Sequence, residues 1–208
     1  MGNFTINKTP PKIKVVLLGD SGVGKTSLLL DLKGNRENRN TEPTIFENIY
    51  HYLEYQSECY LLDITDTSGR REYQELAQSA LNYADVVLLC YSIDDRKSFQ
   101  SVEEIWIPEL KICRPEIPKI LIGLKMDRRY SQRYVDEYHC ISYQQGALKA
   151  EKHHLEYLEY GCILDNSKPL GLLTNSEESR IVFGKVIDTV INSDSKKYNK
   201  KKTNCLIL

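Results

Sequence analysis

Apolar positions recur along the chain in two rhythms. Ile13 to Leu18 is a short β-branched run closing at Gly19, the pattern of a buried strand, and Lys25 to Lys33 carries Leu28, Leu29 and Leu32 at helical spacing. Glu47 to Tyr55 and Glu58 to Asp66 hold tyrosines and isoleucines on either side of a polar Gln56-Ser57, which predicts an antiparallel hairpin. Further on, Val86–Tyr91 and Ile120–Leu124 read as buried parallel strands and His154 to Glu159 as a weaker one. Helical patterns cover Glu72–Asn82, Ser98–Leu110, Gln144–His153 and Ser176–Ile191. Long connections are expected over 128–142 and 163–175. Strands alternating with helices in this way imply a three-layer α/β sandwich.

Composition sharpens that outline. With 208 residues, 41% hydrophobic and 27% charged, the chain can bury one sizeable core and is neither fibrous nor wholly disordered. Residues 1–12, with Pro10 and Pro11, read as a flexible arm, 13–192 as the folded domain, and 193–208, rich in Ser, Asn and Lys, as a disordered polybasic tail. No apolar run approaches the ~18 residues of a membrane span, the longest being about Ala84 to Tyr91, and the start lacks the pattern of a secretion signal. Met1-Gly2-Asn3-Phe4-Thr5-Ile6 fails the myristoylation pattern at Ile6. Six cysteines show no C-x-x-C pair or metal spacing, so reduced thiols are expected. Net charge is −1, but the last 17 residues carry five lysines against Asp194, leaving −5 on the rest; that mildly acidic body argues against a nucleic-acid partner.

Between the first strand and the first helix, Gly19-Asp20-Ser21-Gly22-Val23-Gly24-Lys25-Thr26 fits G-x-x-x-x-G-K-[ST]. Small residues let successive backbone N–H groups, with the positive end of the helix, surround a pyrophosphate. Lys25 supplies a point charge for the outer phosphates, and the Thr26 hydroxyl suits Mg²⁺. The motif implies a nucleoside triphosphate without choosing ATP or GTP. Asp66-Thr67-Ser68-Gly69 closes the second hairpin strand, so Asp66 can reach the metal through water and the Gly69 N–H a γ-phosphate.

These residues, with Glu42-Pro43-Thr44-Ile45-Phe46-Glu47-Asn48, the Ala84–Asp94 run and Trp106-Ile107-Pro108-Glu109-Leu110, resemble a Ras-superfamily small GTPase, most closely the Rho family, almost continuously over 13–127. The resemblance implies a P-loop NTPase fold with a six-stranded mixed sheet flanked by helices, and GTP or GDP bound with Mg²⁺. It implies that Ser21, Gly22, Val23, Gly24, Lys25, Thr26 and Ser27 hold phosphates, and that Thr26, Thr44 and, through water, Asp66 serve the metal. Lys25, Thr44 and Gly69 then engage the γ-phosphate, and two loops move when it departs. Gly123-Leu124-Lys125-Met126-Asp127 resembles the base-reading N-K-x-D: Asp127 can accept from guanine N1–H and its 2-amino group, Lys125 lies across the base, and the Cys162 N–H meets guanine O6.

Departures from the family pattern set further expectations. Arg70 stands where the family places the glutamine that orients water, and an arginine donates but cannot accept, so hydrolysis is expected to be slow. Leu124 replaces Asn or Thr, and Glu37 falls where Rho proteins stack an aromatic on the base; both weaken nucleotide binding. At the end of the chain, Cys205-Leu206-Ile207-Leu208 is a C-a-a-X box whose Leu favours geranylgeranylation of Cys205, and the lysines add attraction to an anionic leaflet. The expectation is a monomeric, prenylated GTP-binding switch at the cytoplasmic face of a membrane, the plasma membrane first, with a cytosolic pool. Its expected partners are effectors, exchange factors and a lipid-shielding carrier. The alternative is a GTPase-defective membrane scaffold, constitutively liganded or nucleotide-free; an ATP-dependent P-loop kinase fits less well because it leaves Asp127 and the switch stretches without a role.

Overall fold

The computed structural model describes residues 9–34, 46–130, 140–161 and 175–204. Strand β1 (Lys12–Leu18) leads through a glycine-rich turn into α1 (Lys25–Leu32). The hairpin is β2 (Phe46–Tyr55) and β3 (Glu58–Thr67), turned by Gln56 and Ser57 at positive φ. A single 3₁₀ turn precedes α2 (Gln74–Leu81), and then come β4 (Val86–Ser92), α3 (Arg96–Ser101), α4 (Ile107–Cys113), β5 (Lys119–Leu124), α5 (Tyr143–Lys152), β6 (Glu156–Tyr160) and α6 (Asn175–Asn204).

The strands form one sheet in the order β2-β3-β1-β4-β5-β6, in which only the β2–β3 pair is antiparallel. Successive connections run to opposite sides of β1, so the sheet has its switch point between β1 and β4, where the carboxyl ends of the strands leave a crevice for ligands. All of β4 is buried, which explains its unbroken apolar sequence. One core lies between the sheet and α1 and α6, with Leu28, Leu29, Phe183, Val186 and Ile187. The other lies under α2 to α5, with Leu81, Val102, Leu110 and Ala150. The expected three-layer, six-stranded mixed architecture is therefore present.

Two elements differ from the sequence reading. The helix expected over Ser98–Leu110 is interrupted by a π turn at Val102–Trp106, in which the Ile107 N–H donates five residues back to Val102. Pro108 has no N–H to offer Glu104, and the wider turn absorbs that missing bond. In addition, α6 continues to Asn204, so residues 193–204, expected as unstructured, have a helical backbone. Lysine is a fair helix former, and a helix already anchored by Phe183 and Ile187 needs no new nucleus to extend. No helix among the described residues is long and apolar enough to cross a membrane.

Burial also shapes the response to alkali. The Cys90 thiol, enclosed in β4, is pushed up from 9.0 to about 12, partly opposed by Lys25 nearby. The folded form therefore keeps a proton that the unfolded chain has released. The resulting stability is complete below pH 9 and is lost as pH rises from 9 towards 12. Lys25 acts in the opposite sense, since burial lowers it below 10.5. Replacing Cys90 with Ala should thus flatten the fall in urea midpoint between pH 8.5 and 10.5; equal slopes in the two proteins would contradict this account.

Candidate nucleotide site

At the carboxyl end of β1 the chain turns through Gly19, Gly22 and Gly24, all at positive φ (148°, 79° and 114°). Ser21 and Gly22 are exposed at the tip, whereas Val23 is buried and anchors the loop. Gly24 caps α1 without a side-chain bond, so the first N–H groups of the helix face the loop with no capping oxygen of its own. Lys25 is only 5% exposed and curls back, its Nζ donating to the Gly19 carbonyl at 2.8 Å and the Asp20 carbonyl at 2.9 Å. Burial lowers its pKa, and Cys90, Asp66 and Asp20 partly offset this. The ammonium is thus held inside the loop where a polyphosphate would pass.

Register brings the second motif alongside. Leu17 of β1 pairs with Asp66 of β3, which places the fully buried Asp66 carboxylate beside the start of α1. Thr26 Oγ1 donates to Asp66 Oδ2 at 2.5 Å, and Thr67 Oγ1 to the Leu17 carbonyl at 2.6 Å. A hydroxyl and a carboxylate in contact are hard oxygen donors of the kind that would hold Mg²⁺. Among the described residues no group of three His, Cys, Asp or Glu could hold a metal by itself.

Gly69 lies directly on the phosphate loop. A Cβ there would sit 2.2 Å from the Asp20 carbonyl carbon and the Ser21 nitrogen, so only glycine allows β3 to end against this backbone. Arg70, next in sequence, is exposed and donates its N–H to Ser68 Oγ at 3.3 Å. Its side chain lines a cavity of about 360 Å³ shared with Asp20, Gln74, Trp106 and Glu109. The sequence did not single out the bond from Trp106 Nε1 to Asp20 Oδ1, 2.8 Å, which ties the π turn to the loop.

On the β5 side, Leu124 is 1% exposed and packs within 3.7 Å of where a Gly24 Cβ would be, making an apolar contact where the family places a polar tether. Lys125 takes a positive φ of 62° and pairs with Asp94 at 3.7 Å, while Asp127 lies 3.9 Å from Arg128 Nε. The structure therefore gathers Ser21 to Ser27, Asp66, Gly69, Lys125 and Asp127 at the carboxyl ends of β1, β3 and β5. Thr44, Glu37, Cys162 and Cys205 lie outside the described residues.

Comparison with known proteins agrees with this geometry. The Ras family profile matches residues 14–167. The chain is 38% identical over 117 residues to the Ras-like GTP-binding protein RHO1 of Entamoeba histolytica, covering 56% of this chain and 54% of that protein, so the match spans about half its length. It is 34% identical over 158 residues to the GTP-binding protein rho3 of Schizosaccharomyces pombe, covering 75% of this chain and 77% of that protein. With the Rho-related protein racL of Dictyostelium discoideum it shares 29% identity over 211 positions, 94% of this chain and 98% of the relative. The phosphate loop, the Thr26–Asp66 pair, the mixed sheet and these likenesses agree: the chain belongs to the Ras family and is a Rho-type small GTPase.

Proposed function

We propose that this protein is a membrane-anchored GTP-binding switch that binds GTP or GDP with Mg²⁺, recruits effectors in the GTP form and turns over slowly. The carrying observation is that Lys25, the Thr26–Asp66 pair and Gly69 converge on one loop, with Arg70 in the following position. Mg²⁺ in such a site neutralises charge on the outer phosphates. Lys25 and the loop N–H groups hold the phosphates, Thr44 and Gly69 sense the terminal one, and Asp127 selects guanine. Geranylgeranylated Cys205 and the lysine-rich segment would supply two membrane signals, since a single lipid anchors only marginally. Location at the cytoplasmic face, a monomeric state, exchange factors and a lipid-shielding carrier belong to the same proposal, and nucleic acid does not.

Leu124 on Gly24 favours one alternative, a scaffold that binds nucleotide weakly or keeps it uncleaved. Titration with fluorescent GTP, GDP and ATP analogues in Mg²⁺, then single-turnover hydrolysis, separates the readings. Guanine preference with slow cleavage supports the switch, GTP held without cleavage supports the scaffold, and ATP preference overturns both. Arginine cannot accept a hydrogen bond from water, so Arg70→Gln should raise single-turnover cleavage by about tenfold or more. An unchanged rate would reject the role assigned to that position.

A further inference from the structure

We infer that Arg129 and Glu159 form a clamp that positions Asp127 for the base. The inference rests on the guanine-binding reading above and extends it to residues outside the motif. Arg129 meets Glu159 through two parallel bonds, Nη1 to Oε2 at 2.6 Å and Nη2 to Oε1 at 2.7 Å, the fork geometry that an arginine offers a carboxylate. The same guanidinium donates to the Ile141 carbonyl from Nε at 2.8 Å and Nη2 at 2.5 Å. Tyr157 also donates to Glu159, and its hydroxyl meets that of Tyr91 at 2.7 Å. Side-chain exposure is 16% for Arg129 and 6% for Glu159, so this is a shielded network of several bonds and not a surface ion pair.

Its position relates it to the base. Arg129 belongs to the 3₁₀ turn Met126–Tyr130, two residues beyond Asp127, and Glu159 lies near the end of β6. Just past that end, the backbone of Gly161 rests against the turn: a Cβ there would come within 2.7 Å of the Asp127 nitrogen. The turn enters through Lys125 in a left-handed conformation unfavourable for a side-chain-bearing residue, so it needs an external hold. Leu124 offers the turn no polar side-chain tether, and the Arg129–Glu159 fork fixes the turn to β6. Both are positioning residues, acting on the base through Asp127.

The test compares GDP with inosine diphosphate, whose base lacks the 2-amino group that Asp127 would read, on the full-length chain and on its Arg129→Lys and Glu159→Gln variants. Lysine keeps the charge and loses the fork, while glutamine keeps the shape and weakens the pair. Displacing Asp127 should reduce the preference for GDP over inosine diphosphate about tenfold, the worth of one charge-assisted hydrogen bond. In whichever variant keeps the wild-type circular dichroism, equal weakening of both nucleotides marks a merely structural role and overturns the inference, as does an unchanged preference. Wild-type protein that binds neither nucleotide brings down the guanine reading itself and the clamp with it.

Discussion

Lys25→Ala is expected to weaken GTP binding by a factor of about 100 to 10,000, as measured by titration with a fluorescent analogue. The ammonium already sits within 3 Å of two loop carbonyls, so it needs no rearrangement to meet a phosphate. Each charge-assisted bond to phosphate contributes about 1.5–3 kcal/mol, and two such bonds account for that range. Lys25→Arg should not restore binding, because the side chain is enclosed and a planar guanidinium does not fit a place made for a compact ammonium. Melting temperature serves as the control. A variant that folds and binds GTP within threefold of wild type would show that the loop does not hold the triphosphate through this residue.

Gly69→Ala should have the next largest effect, for a steric reason. Its Cβ would be 2.2 Å from two backbone atoms of the phosphate loop and 2.4 Å from the Gly19 oxygen, and none of these can turn aside as a flexible side chain would. The connection from β3 to α2 must then lift off the loop. We expect a loss of about 1–3 kcal/mol in urea denaturation, together with GTP affinity falling to that for GDP, because the N–H assigned to the γ-phosphate moves away while Lys25 stays. Unaltered stability with an unaltered ratio of the two affinities would show that the close approach has no consequence.

The parts of this site that could be read from sequence are those in which chemistry and spacing are local. Gly19 to Thr26 is one turn between one strand and one helix, and its dihedral demands appear directly as glycines. Asp66 and Gly69 are readable because they lie at and just past the end of a strand that pairs in parallel with β1. The Arg129–Glu159 fork was not readable: its partners are 30 residues apart, and each alone looks like a solvated charge. The π turn was hidden for a related reason. Apolar spacing through Ser98–Leu110 is helical throughout, and only the missing N–H of Pro108 disturbs it. The extension of α6 to Asn204 escaped because composition signals polarity, whereas helix continuation depends on the packed turns before it.

The bond between the π turn and the phosphate loop has an optical consequence. The chain contains one tryptophan, and its indole nitrogen is joined to Asp20, one residue from the exposed loop tip. Emission excited beyond the absorption band of the tyrosines therefore comes from this one indole, bonded to the nucleotide cradle, and filling of the loop is expected to change it without any attached dye.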